Sequence, residues 1–65
     1  MKTLYVPEED ALYVRFSDAR VIESEEVKPG VILDYDERGR IVAIEVLDAS
    51  EQVAEGFNLE TPAAV

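Results

Sequence analysis

Ala11-Leu12-Tyr13-Val14-Arg15-Phe16 alternates without a break: Leu12, Val14 and Phe16 fall on one face, Tyr13 and Arg15 on the other. A period of two over this length predicts a half-buried β-strand, because successive side chains of a strand point to opposite faces. Upstream, Lys2 to Val6 repeats the pattern, with Leu4 and Val6 on one face and Thr3 and Tyr5 on the other. Pro7-Glu8-Glu9-Asp10 lies between the two runs. Pro7 has no N–H to give to a ladder and suits a turn. The two runs therefore predict a hairpin turning around Glu8 to Asp10.

The same reading extends downstream. Ser17-Asp18-Ala19-Arg20 is turn-forming, since Ser17 and Asp18 can hydrogen-bond nearby backbone N–H groups. A third strand, about Val21 to Val27, carries Glu23, Glu25 and Glu26. Such charge suits an edge, where it blocks pairing with a second chain. Pro29-Gly30 reverses the chain into a fourth strand, about Val31 to Tyr35, with Val31, Leu33 and Tyr35 on one face and Ile32 and Asp34 on the other. Asp36-Glu37-Arg38-Gly39 is a hairpin turn in which Gly39 can take positive φ. The fifth strand, about Arg40 to Leu47, is apolar on both faces, which predicts a central strand covered on both sides.

A short helix begins at Asp48-Ala49-Ser50-Glu51. Asp48 or Ser50 is the expected N-cap, and Asp48 with Glu51 resembles a capping box. Gly56, a natural residue just past a helix end, limits the helix to about Glu55. Phe57 and Leu59 are expected to tuck back onto the sheet, and 60–65 to fray. The expected fold is α+β and mostly β: one small domain over 1–65, an antiparallel meander sheet of about five strands with one short C-terminal helix.

Sixty-five residues leave room for one domain. A chain this short buries about 60% of its unfolded surface, so its stability needs support from elsewhere. With no Cys there is no disulfide, and with neither Cys nor His there is no structural zinc site. Self-association remains. A two-turn helix covers little of a five-stranded sheet, and a two-fold homodimer would bury the remainder. The six residues before Pro7 are too short for the apolar region of a signal peptide, and no apolar run has membrane-spanning length, so the expected compartment is the cytoplasm. Fifteen acidic against six basic residues give a formal charge of -9. That charge repels phosphate backbones and argues against autonomous nucleic-acid binding, while it would steer a basic protein.

Residue chemistry argues against an enzyme. Ser17, Ser24 and Ser50 have no imidazole to activate them, since the chain has no His. Asp34 with Asp36 would need to lie buried and close together to act as acid and base, whereas a hairpin shoulder in water is the expected place for both. Asp34 to Glu45 matches a twelve-residue calcium loop at positions 1, 3, 6 and 12, which makes Asp34, Asp36 and Glu45 candidate divalent-metal or small-ligand residues. Arg38 stands where an oxygen ligand belongs, and the flanks read as strands rather than helices. A plain hairpin explains the same residues, and no cofactor is expected. Candidate partner-binding residues are Glu23, Glu25 and Glu26, as a stripe for a basic protein or simply a solvated edge, and Tyr13 and Tyr35, which with Tyr5 form either an exposed aromatic patch or amphipathic residues at the rim of the core.

The stretch Tyr5-Val6-Pro7-Glu8-Glu9-Asp10-Ala11-Leu12-Tyr13-Val14-Arg15-Phe16-Ser17-Asp18, followed by Pro29-Gly30-Val31-Ile32-Leu33-Asp34-Tyr35-Asp36, Gly39-Arg40-Ile41-Val42 and Ile44-Glu45-Val46-Leu47-Asp48-Ala49-Ser50, resembles the domain-of-unknown-function family numbered 2283. The resemblance covers about Tyr5 to Ser50. It implies a small, stand-alone prokaryotic protein with no catalytic residues to transfer, and for some members an antitoxin-like pairing with a small toxin-like protein. An interaction module, self-associating and meeting a basic partner, is the function this implies.

Overall fold

The structure, a computed structural model, describes residues 1–56. The expected packing of Phe57 and Leu59 and the tail 60–65 lie outside the described residues. Five strands and one short helix follow in chain order: β1 Lys2–Val6, β2 Ala11–Arg15, β3 Glu23–Lys28, β4 Val31–Tyr35, β5 Ile41–Val46 and α1 Ala49–Gln52. All strand pairs are antiparallel and form one open sheet in the order β1-β2-β5-β4-β3. The α+β, mostly β class is as the alternation predicts. The order departs from an uninterrupted meander at one step. The chain leaves β2, passes to the far edge for β3, and returns through β4 so that β5 pairs with β2. β5 is therefore central, as its two apolar faces suggest. Its ends are less covered than expected: Ile41 is 49% exposed.

The strand registers sort the side chains into two faces. Leu12 stands opposite Val46, Val14 opposite Ile44, Tyr5 opposite Leu12 and Val31 opposite Val46. These residues form the helix-side face. Leu12, Val46 and Ala49 are its buried centre, and Tyr5, Val14, Val31, Ile44 and Val53 pack around them. The opposite face, here the open face, is built from two rows that cross all five strands. One row is Lys2, Arg15, Ala43, Asp34 and Ser24; the next is Leu4, Tyr13, Glu45, Ile32 and Glu26.

The helix is shorter than the sequence predicts, and it is capped differently. Val53 is already extended, at φ -90 and ψ 134, so helical backbone stops well before Glu55. Asp48 occupies the N-cap position in left-handed conformation and makes no side-chain cap bond. Asp10 takes that role from 40 residues away. Its carbonyl accepts from Ala49 N at 2.8 Å, and its carboxylate accepts from Ser50 N at 3.1 Å and Ser50 Oγ at 2.6 Å. Tyr5 OH donates to the same carboxylate at 2.7 Å. A helix this short leaves its first N–H groups without internal partners, so the first hairpin turn satisfies them and joins the helix to the sheet.

The second fixed point is Gly30. Its φ is +82, and a Cβ there would meet Gln52 Nε2 at 2.8 Å and Leu47 O at 3.3 Å. Gln52 Nε2 in turn donates to Pro29 O at 2.7 Å. The Pro29-Gly30 turn thus seats against the chain entering the helix, and the side chain of a larger residue has no room.

Candidate functional site

Asp34 and Glu45 sit on neighbouring central strands of the open face. Asp34 is opposite Ala43 in the β4–β5 register, and Glu45 is two residues further along β5 on the same face. Contrary to the expectation of a solvated hairpin shoulder, Asp34 is buried, at 6% exposure. The small Ala43 beside it and the flanking strands enclose its short side chain, and Ser24 Oγ on β3 donates to Asp34 Oδ1 at 2.6 Å. Glu45 is held above its ordinary carboxyl range, first by a hydrogen bond to Asp34, then by partial burial and by the Asp34 charge. The shift belongs to Glu45, whose carboxyl binds its proton more tightly beside Asp34 than it would alone. The contacts of Asp34 among the described residues are Ser24 and Glu45, neither of them a cation.

Asp36 does not join them. Its Oδ1 accepts from Arg38 N at 2.8 Å and Arg40 N at 2.9 Å, and Gly39 N closes the turn onto Asp36 O at 3.0 Å. Those backbone donors, Arg40 foremost, hold the Asp36 carboxyl below its ordinary value. Asp36 is thus the organiser of a hairpin turn, and the twelve residues from Asp34 to Glu45 are strand, turn and strand. No group of three or more acidic side chains is placed to share a metal ion among the described residues.

The partner candidates divide between two surfaces. β3 is an edge strand, and all six of its residues are exposed. Glu25 Oε1 accepts from Tyr35 OH at 3.1 Å, and Glu26 Oε2 accepts from Gly30 N at 3.2 Å. Desolvation, the Glu25 hydrogen bond and the charges of Glu25 and Glu23 raise the Tyr35 phenol above its ordinary value. Glu23, Ser24, Glu25, Tyr35 and Gly39 line a groove of about 400 Å³ along this edge. Its volume reaches the range of small-molecule sites, but carboxylates furnish much of the wall where such sites are mostly apolar. The tyrosines do not form one patch. Tyr5 and Tyr35 lie on the helix-side face, where Tyr5 is tied to Asp10, and Tyr13 lies on the open face beside Glu45.

Two residues that matter in this arrangement were not singled out from the sequence. Asp10 reads as one more acidic turn residue, and its link to Ser50 exists only once the chain closes. Arg15 reads as the polar half of an alternating strand. In the fold its Nε donates to Ser17 O at 2.8 Å and its Nη2 to Ala19 O at 2.9 Å, so it pins the segment leaving β2 while lying in the same row as Asp34.

The match to a family model described as protein of unknown function, DUF2283, spans residues 2–50, from the first strand through the helix start that Asp10 caps. The chain belongs to the DUF2283 family. No curated protein and no solved structure matches it. The matched DUF2283 segment contains the whole sheet, the Tyr5–Asp10–Ser50 link and the Asp34–Glu45 pair. Among the described residues, no helix is long and apolar enough to cross a membrane.

Proposed function

We propose that this DUF2283 chain is a non-enzymatic protein-interaction module of the prokaryotic cytoplasm, which self-associates as a homodimer and receives a basic protein in an antitoxin-like or regulatory pairing. The observation that carries the reading is a sheet left largely bare. One helix of four residues covers one end of one face, and Leu4 at 59%, Phe16 at 50% and Ile41 at 49% exposure stand outside it. Exposed apolar side chains on a small sheet with so little cover are surface that an assembly can bury. The basic partner is supported by the charge of -9 and by Glu23, Glu25 and Glu26 on an open edge. Sedimentation velocity up to about 1 mM tests self-association, with a mass above the 7.3 kDa of one chain expected. Affinity capture from lysate tests the second partner, and recovery of nothing but the chain itself would count against it.

The Asp34–Glu45 pair favours a second reading, a small-ligand or divalent-cation site on the open face with Ser24 as an added oxygen donor. A thermal-shift screen against divalent cations and common metabolites tests it. An unchanged melting temperature in calcium against chelator removes the calcium form.

A further inference from the structure

Resting on the self-association proposed above, we infer that the open face packs on its own copy about a two-fold axis running along β5, so that Arg15 of each chain meets the Asp34–Glu45 pair of the other. The charge pattern of the rows leads to this arrangement. In the row Lys2, Arg15, Ala43, Asp34 and Ser24, the cations stand on one side of the central strand and the carboxylate on the other, with the smallest side chain in the middle. A two-fold along β5 exchanges the two sides of the sheet and leaves each row at its own level. β2 of one chain then covers β4 of the next, and the row becomes complementary to itself: Arg15 over Asp34 twice, Ala43 over Ala43. A two-fold perpendicular to the strands would instead stack β2 on β2 and leave both carboxylate pairs without a cation.

In the next row, Leu4, Tyr13, Glu45, Ile32 and Glu26, the same axis places Tyr13 over Ile32 twice, Leu4 over Glu26 at each rim and Glu45 over its own copy. The hydrogen bond to Asp34 and partial burial raise the Glu45 carboxyl above its ordinary value, the direction that eases the meeting of two copies on the axis. The spacing also fits. Face-packed sheets lie about 10 Å apart, a gap bridged by one long arginine and one short aspartate. Arg15 commits Nε and Nη2 to backbone carbonyls of its own chain, and neither bond uses Nη1. Asp34, in turn, is a buried acid that receives a hydroxyl and a carboxyl but no cation among the described residues. A buried charge without a countercharge is costly, and the second copy supplies one. Five strands of about six residues make a face of roughly 24 Å by 20 Å, which places the interface in the small, dissociable class.

A charge exchange tests the arrangement by sedimentation velocity. Arg15→Asp alone and Asp34→Arg alone each set like charges against each other and should be monomeric at concentrations where the wild type is dimeric. Mixed one to one they restore both contacts, and a heterodimer should appear with at least a tenfold gain in association over either variant alone. Wild type dimeric and Arg15→Asp equally dimeric would overturn this interface while leaving self-association intact; a wild type monomeric at 1 mM would overturn both. If Asp34→Arg fails to fold by circular dichroism, Ile32→Glu on the open face and Phe16→Glu on the helix-side face replace it. The first should abolish the dimer and the second leave it; the reverse result overturns the proposal.

Discussion

Replacing Leu12 by alanine, with Leu4→Ala as its counterpart, separates the two faces of the sheet energetically. Both leucines sit on the first hairpin, one strand apart, and the sequence offers no reason to rank them. In the fold Leu12 is 4% exposed at the centre of the cluster with Val46 and Ala49, whereas Leu4 is 59% exposed on the open face. Leu12→Ala removes about three methylene equivalents at about 0.8 kcal/mol each and leaves a cavity beneath the helix, for a total loss of about 3 kcal/mol. A single core of this size supplies about 3–5 kcal/mol, so the variant should retain little stability. At about 4–8 °C per kcal/mol for a domain this small, its Tm should fall by about 12–24 °C. Leu4→Ala, measured where the chain is monomeric, should stay within about 0.5 kcal/mol of wild type. Far-UV circular dichroism in urea and on heating is the assay, since the chain has no tryptophan to follow. A loss under about 1 kcal/mol at Leu12, or equal losses at both positions, would refute the division of faces.

Gly30→Ala should cost about 1–2 kcal/mol, because the backbone there is left-handed and the new Cβ would press on Gln52 and the Leu47 carbonyl; Gly39→Ala, left-handed in open space, should cost about 1 kcal/mol in the same melts. Glu45 binds its proton more tightly folded than unfolded, so its contribution to stability is present below its ordinary value of 4.5 and is lost as pH rises through its raised folded value. Glu45→Gln should therefore raise stability at pH 7 and flatten the pH dependence above 4.5; an unchanged slope in urea melts across that window would contradict the pairing with Asp34. Asp10 behaves in the opposite sense: hydrogen bonds from Ser50, then Tyr5, lower its pKa, so its stabilisation is present above its ordinary 3.8 and disappears as pH falls through the folded value. Asp10→Asn and Ser50→Ala should both move the acid-unfolding midpoint upward, and a midpoint that stays in place in either variant would exclude the cap.

The strands were legible because period-two alternation is a local signal. Leu12, Val14 and Phe16 against Tyr13 and Arg15 predict β2, and Ile41 to Leu47, apolar on both faces, predicts the centre of the sheet. The helix cap was not legible, since Asp48 and Glu51 satisfy the capping-box pattern locally while Asp10, 40 residues distant, has the better geometry. β3 starts at Glu23 rather than Val21 and runs on to Lys28 past an irregularity between Glu26 and Lys28 that the alternation does not show. The candidate site was half legible. Asp34 and Glu45 were reachable through the calcium-loop spacing, for a reason the hairpin then replaced. Their pairing follows from the β4–β5 register and Asp34's burial from its neighbours Ala43 and Ser24, whereas Arg15's place in the same row depends on the β2–β5 register, which joins segments about thirty residues apart and leaves no trace in local pattern.

Methyl and amide NMR spectra of the wild-type chain, recorded while it is diluted from about 1 mM to 10 µM, address the central claim most directly. The resonances of Tyr13, Ile32, Ala43 and Glu45 on the open face should shift with concentration, and those of Leu12, Val46 and Ala49 on the helix side should stay in place. Spectra that do not change over that range, or changes confined to the helix-side face, would contradict the account.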